Sequence, residues 1–304
     1  MSRQLTAIRH LDTDTIRALI DDAGKLKESV VSGKEIRSGK ARSIGLLFFE
    51  NSTRTRVSFE QAASHLGYRV VNFSGSGSSL SKGESLKDTI LTLKNEGLEG
   101  LVMRHKASGS AALGASYFGG PFVSAGDGQH EHPTQALGDA LTIKERLGKV
   151  EGLKIAIVGD VLHSRVARSN AWLLSKLGNE VRFVGPRSLI PAYTAKLPGE
   201  VHYDLRSGIA GADVVMCLRL QRERMEDGRL SSTGEFSRNY QINRVSMRAA
   251  HPDAIIMHPG PINRGIELDD LAADAPNSAI LDQVANGVFV RMAALKWVFE
   301  GEKA

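Results

Sequence analysis

The sequence predicts an α/β protein of two doubly wound domains, each with a mainly parallel sheet flanked by helices, and a C-terminal helix packing back on the first domain. Three observations predict it. Short apolar runs alternate with longer amphipathic ones along most of the chain, the pattern of strands joined by crossover helices. About four strand candidates fall on each side of residue 140, a division that suits two sheets better than one. The segments that follow the strands are rich in Arg and His, as expected where ligands bind at the carboxyl ends of parallel strands.

Taken in order, the strand candidates are 44–49, 69–73, 100–103, 121–124, 154–158, 180–184, 213–218 and 254–257. Each is a short apolar run of the kind a strand buried on both faces requires. Helical spacing appears between them, for example at 134–147 and 166–177, and glycines stop these two helices at Gly148 and Gly178. The segment 286–299 is amphipathic. The first domain is therefore predicted over 1–133 with the C-terminal helix, about 286–304, and the second over 134–285.

Composition narrows the class of function. The chain has 304 residues, 41% hydrophobic and 24% charged, values normal for a globular protein. Its start lacks the basic-then-apolar pattern of a signal peptide, and no window of about 18 apolar residues could span a membrane. A cytoplasmic enzyme is expected. The single cysteine, Cys217, lies in the strand-like "ADVVMCLRL", where a buried inert thiol is expected. A net charge of +5 is compatible with nucleic acid, but the basic residues form no run of five or six and aromatics are only 6%. Small anions entering a cleft suit that balance better.

Chemistry concentrates after the strands. The first strand runs into Ser52-Thr53-Arg54-Thr55-Arg56, followed by helical spacing at Val57, Ala62, Ala63 and Leu66 and a stop at Gly67. Ser52 is a plausible N-cap, and a helix N-terminus attracts an anion; a capped helix with two solvated arginines is the plain alternative. Arg104 and His105 follow the third strand. "AGDGQHEHPTQALGD" follows the fourth, with His130, His132 and Gln135; "GDVLHSR" ends at Arg165; "RLQRERM" holds Arg219, Gln221 and Arg224; "HPGPINRG" follows the last strand. Any one such arginine could be a surface charge, but five such loops beyond the 52–56 turn, at the same sheet edge, predict a cleft for a multiply charged anion. Gly159 is not followed by the G-x-G-x-x-G spacing that a dinucleotide needs. His130 and His132 with Glu131 and Asp127 offer metal-ligand types, but an i, i+2 histidine pair in a loop without a thiolate is weak support for zinc, and hydrogen-bonding histidines are expected instead.

"STRTR", "SKGES", "MRH", "HPTQ", "RLQRER" and "HPGP" occur in that order over almost the whole length, and together they resemble the aspartate/ornithine carbamoyltransferase family. The resemblance implies carbamoyl transfer from carbamoyl phosphate to the α-amine of L-aspartate, an early step of pyrimidine synthesis, without a cofactor or metal. It implies that Ser52, Thr53, Arg54 and Thr55 bind the phosphate, that Thr55, Arg104 and His132 polarise the carbonyl oxygen, and that Gln135 with the backbone around Gly260 and Pro261 holds the carbamoyl amide. Arg165 and Arg219 match aspartate-binding arginines, with Gln221 in support. Lys82, with Ser79 as its companion, matches a lysine that reaches into a neighbouring subunit's site, which implies a homotrimer. Arg56 is left a structural role, a salt bridge to Glu50.

The ornithine members share "STRTR" and "HPTQ" but carry a cysteine in the motif occupied here by "MHPGP", and an "SMG" signature. Here Cys217 lies elsewhere and Met247 is not followed by glycine, so the resemblance favours the aspartate branch over the ornithine one. A non-catalytic anion-binding homologue would show a gap among these residues, and none is present. Gly260 in "HPGPINRGIE" resembles the version in bacterial chains that associate with a dihydroorotase or dihydroorotase-like partner; a regulatory chain is the other partner the resemblance admits. Neither nucleic acid nor membrane is implied.

Overall fold

The computed structural model describes residues 3–36, 40–74, 83–221 and 232–300; Ser79, Lys82 and Arg224 lie outside them. The chain divides into two compact units, residues 1–141 with 284–304, and residues 142–283.

The first unit begins with β1 (Gln4–Leu5) and α1 (Thr13–Val31), then alternates β2 (Ser43–Phe48), α2 (Thr53–His65), β3 (Arg69–Ser74), α3 (Leu86–Asn95), β4 (Gly100–His105), α4 (Ser110–Phe118) and β5 (Phe122–Asp127), and enters α5 (Pro133–Leu147). All strand pairs are parallel, in the order β1-β5-β4-β2-β3. β2 and β5 are buried at every position, and β2 accordingly reads as a near-continuous apolar run rather than an alternating one. The register between β4 and β5 slips: Met103 pairs with Ser124 but His105 pairs with Asp127. A bulge therefore lies opposite Arg104, where Gly126 takes φ 125°.

The second unit contains β6 (Lys154–Val158), α6 (Arg165–Lys176), β7 (Glu180–Val184), β8 (Glu200–His202), α7 (Leu205–Gly208), β9 (Val214–Cys217), α8 (Thr233–Tyr240), β10 (Ile255–Met257) and α9 (Asp270–Ala273). Its sheet is also wholly parallel, ordered β10-β9-β6-β7-β8. Val158, Val184, Val215, Cys217 and Ile256 share one apolar cluster. Cys217 is buried there and unpaired; burial and the Glu267 carboxylate push its thiol far up, so it is inert.

The last helix, α10 (Ile280–Glu300), starts earlier than the predicted 286, and its main length belongs to the first unit. Phe299 lies edge-on to Tyr68, 5.4 Å between ring centres, and under the Arg42 guanidinium. A Cβ on Gly100 would come within 2.5 Å of the Phe299 ring, so glycine at the start of β4 is what lets this helix lie down there.

Each sheet has five strands rather than the expected four. The two additions, β1 and β8, are edge strands of two and three residues, too short for an alternation or an apolar run to show in the sequence.

Candidate active site

Both sheets reverse their winding beside a strand whose loop carries the singled-out residues. In the first unit β2 has β3 on one side and β4 on the other, so the loops leaving β2 and β4 part and open a crevice between them at the carboxyl end. The segment 52–55 leaves β2 and Arg104 sits at the end of β4. In the second unit β6 stands between β7 and β9, and the loops leaving β6 and β9 carry Arg165, Arg219 and Gln221.

Ser52 is the N-cap of α2, with extended backbone, but its side chain makes no capping bond. Its hydroxyl is thus not engaged by the helix it precedes, and the amides of the first turn keep the unsatisfied donors of any helix start. Thr53 and Arg54 are exposed, whereas Thr55 is buried. The Arg104 guanidinium reaches over from the end of β4: Nη1 donates to Thr55 Oγ1 at 3.5 Å and to the Ala125 carbonyl at 3.4 Å. Its Nη2 lies 3.3 Å from Glu50 Oε1. Glu50 thus pairs with Arg104, while Arg56, expected to meet Glu50, lies over the Phe48 ring at 5.4 Å. A cation and a hydroxyl at the mouth of a helix N-terminus form an arrangement suited to a phosphate and a developing oxyanion.

The fourth loop folds on an acid. Asp127 bridges to Glu131, and its carboxylate accepts from the Gly109 and Ala111 N–H groups, from Ser110 Oγ at 2.8 Å and from His130 at 2.9 Å. Burial would raise this carboxyl, but the hydrogen bonds from His130, Ser110, Gly109 and Ala111 outweigh it and hold it below the usual range. Glu131 is raised by burial, although the Ile8 N–H donates to it at 2.6 Å. The turn delivers a buried His132 directly ahead of α5, and its carbonyl accepts from the amides of Gln135 and Ala136. Gln135 Nε2 donates to Asp139 Oδ1, one helical turn on, at 2.8 Å. His105, lowered by burial, accepts the Ala107 N–H on Nδ1 at 3.0 Å, so its ring is neutral. Among the described residues no group of three or more His, Cys, Asp or Glu is placed to hold a metal ion.

In the second unit the organiser is Asp160, fully buried. It accepts from the N–H and Nδ1 of His163 and from the Gln221 N–H at 3.2 Å, while Gln221 Nε2 donates back to the His163 carbonyl at 3.3 Å. The loops after β6 and β9 are thus tied to each other across the switch point. Arg165 opens α6 just after its Ser164 cap and is buried; Arg219 is half-buried. Gly159, at φ 123°, turns the chain off β6 where a Cβ would meet the Leu218 carbonyl at 3.0 Å. Farther along, the peptide between Gly260 and Pro261 is cis. The Gly260 N–H donates to His258 Nδ1 at 2.8 Å, and His258 Nε2 faces Glu267 at 3.1 Å, which fixes one neutral tautomer with its proton toward the carboxylate.

Two family profiles match nearly the whole chain: the carbamoyl-P binding domain of aspartate/ornithine carbamoyltransferase over residues 3–145, and the Asp/Orn binding domain over residues 151–298. The chain belongs to the aspartate/ornithine carbamoyltransferase family. Among its relatives, the aspartate carbamoyltransferase catalytic subunit of Salinispora arenicola is 50% identical, covering 99% of both chains. Aspartate transcarbamoylase from Trypanosoma cruzi, solved with carbamoyl phosphate, superposes with a TM-score of 0.88 at 34% identity, over 98% of this chain and 95% of that one. Ornithine carbamoyltransferase from Pyrococcus furiosus superposes at 0.90 with 28% identity, over 99% and 98%. Backbone likeness is therefore equal for the two branches of the family, and side chains must separate them. Of the acids that hold the carbamoyltransferase loops, Asp127 was legible only as a weak metal-ligand candidate, and Glu50, Asp139, Asp160 and Glu267 were not legible as site residues. The one signal available was the i, i+4 spacing of Gln135 and Asp139.

Proposed function

We propose that the chain transfers the carbamoyl group of carbamoyl phosphate to the α-amine of L-aspartate, giving N-carbamoyl-L-aspartate and phosphate, in cytoplasmic pyrimidine synthesis. The observation that carries this reading is the placement of cationic loops at the switch point of each sheet: Arg104 with Thr55 in one unit, Arg165 with Arg219 and Gln221 in the other. The first set suits an acyl phosphate and the second a dicarboxylate.

Ser52, Thr53, Arg54 and Thr55 receive the phosphate at the start of α2. Thr55, Arg104 and His132 face the carbonyl oxygen, and Gln135 with the backbone at Gly260 and Pro261 takes the carbamoyl amide. The neutral amine of aspartate attacks the carbonyl carbon, forming the C–N bond and moving an electron pair onto the oxygen. Collapse of this tetrahedral intermediate breaks the C–O bond to phosphate, and the ammonium proton leaves with the departing phosphate. No side-chain nucleophile is needed; positioning and preorganised charge supply the acceleration. Lys82, with Ser79, serves the site of a neighbouring subunit in a homotrimer.

The test is carbamoylation by the purified chain with L-aspartate and L-ornithine offered in parallel, with product identified by mass. Carbamoyl-aspartate alone is expected. Citrulline alone would overturn the roles of Arg165 and Arg219, and no product with either amine would overturn the reading as a whole.

A further inference from the structure

Gln135 carries the amide that meets the carbamoyl group, and an amide side chain can present either its oxygen or its NH2. Here the choice is made from behind. Asp139, on the same face of α5 and fully buried, offers only acceptor oxygens, so the group facing it at 2.8 Å is the Gln135 NH2. Gln135 Oε1 is left with no partner among the described residues. A buried cation of α10 shares its electrostatic environment: Arg291 lies over the Phe59 ring at 5.3 Å and feels the Asp139 charge. Burial pushes the Arg291 guanidinium down to about 10, against the pull of Asp139, so it stays charged at neutral pH.

We propose that Asp139 is a positioning residue that locks the Gln135 amide with its oxygen outward, so that the site accepts a hydrogen bond from the donor's NH2 and thereby selects a carbamoyl over an acetyl phosphate. This rests on the carbamoyl-transfer reading above. The two donors share shape and charge and differ in NH2 against CH3. An oxygen fixed outward is satisfied by the first and left dry and unpaired by the second. An amide free to turn would lose that distinction.

The experiment compares dissociation constants of carbamoyl phosphate and acetyl phosphate for the wild-type chain and Asp139→Asn. Asparagine offers Gln135 both a carbonyl and an NH2, so either orientation becomes satisfied. The preference for carbamoyl phosphate is expected to fall by about tenfold, through weaker carbamoyl phosphate binding while acetyl phosphate binding holds. An unchanged preference, or parallel weakening of both ligands, overturns the proposal. Because the single variant strands the buried Arg291 charge, the double variant Asp139→Asn with Arg291→Met removes charge and counter-charge together and is read by the same ratio. The parent reading fails separately: a wild-type chain that transfers no carbamoyl group sinks the function, whereas an active chain whose donor preference ignores Asp139 sinks this inference alone.

Discussion

Arg104 is held on both prongs of its fork before any ligand arrives. Glu50 faces one amino group, and Thr55 and the Ala125 carbonyl take the other. The bulge opposite it lies on β5, whereas Arg104 itself keeps its register with Phe48 of β2. Arg104→Ala is expected to lower kcat by about 100-fold or more, and Arg104→Lys to recover little of it, because a point charge does not reproduce a planar fork. Steady-state kinetics on both variants decides this; a kcat near wild type would remove Arg104 from the chemistry. The basic residues of the site were legible because charge after an apolar strand is conspicuous. Their acidic holders were not, because the partners lie far apart in sequence: Asp160 and Gln221 are separated by 61 positions, and Ser110 and Asp127 by 17.

Between elements, Asp127 is the clearest joint. It ends β5 and caps α4 from outside that helix, since Gly109 at the N-cap provides no side chain of its own. Its carboxyl is held below the usual range in the folded chain, so its contribution to stability is full above the unfolded value, about pH 4, and is lost as pH falls through the lowered folded value. Asp127→Asn is expected to cost about 1–3 kcal/mol at neutral pH and to flatten the loss of stability below about pH 4. Urea melts at several pH values read both effects; an unchanged acid slope would assign the acid sensitivity to other groups. At this scale the sequence was most readable where strands are buried on both faces, as in β2 and β6. It was least readable at strand ends such as Gly126–Asp127, where glycine and an acid interrupt the apolar signal although the ladder continues to Asp127.

For the whole molecule, the proposed trimer makes one demand that activity alone does not test. If Lys82 acts in a neighbour's site, a chain lacking Lys82 and a chain lacking Arg165 are defective in different halves of a shared site. Mixing Lys82→Ala with Arg165→Ala after gentle dissociation is expected to restore activity that neither variant has by itself. A mixture no more active than its parents would place Lys82 in its own chain's site or outside the site altogether.

The two winding reversals carry a further consequence. In the proposed reading, donor recognition hangs on loops leaving β2, β4 and β5 with the backbone at Gly260 and Pro261, and acceptor recognition on loops leaving β6 and β9, with Asp127 and Asp139 anchoring loops of the first unit and Asp160 those of the second. Rewriting the second set need not disturb the first, and neither rewriting requires a strand to move. A protein built this way can exchange one amino acid for another as acceptor while its backbone stays still, which accounts for a 28% identical ornithine enzyme tracing the same path at a TM-score of 0.90.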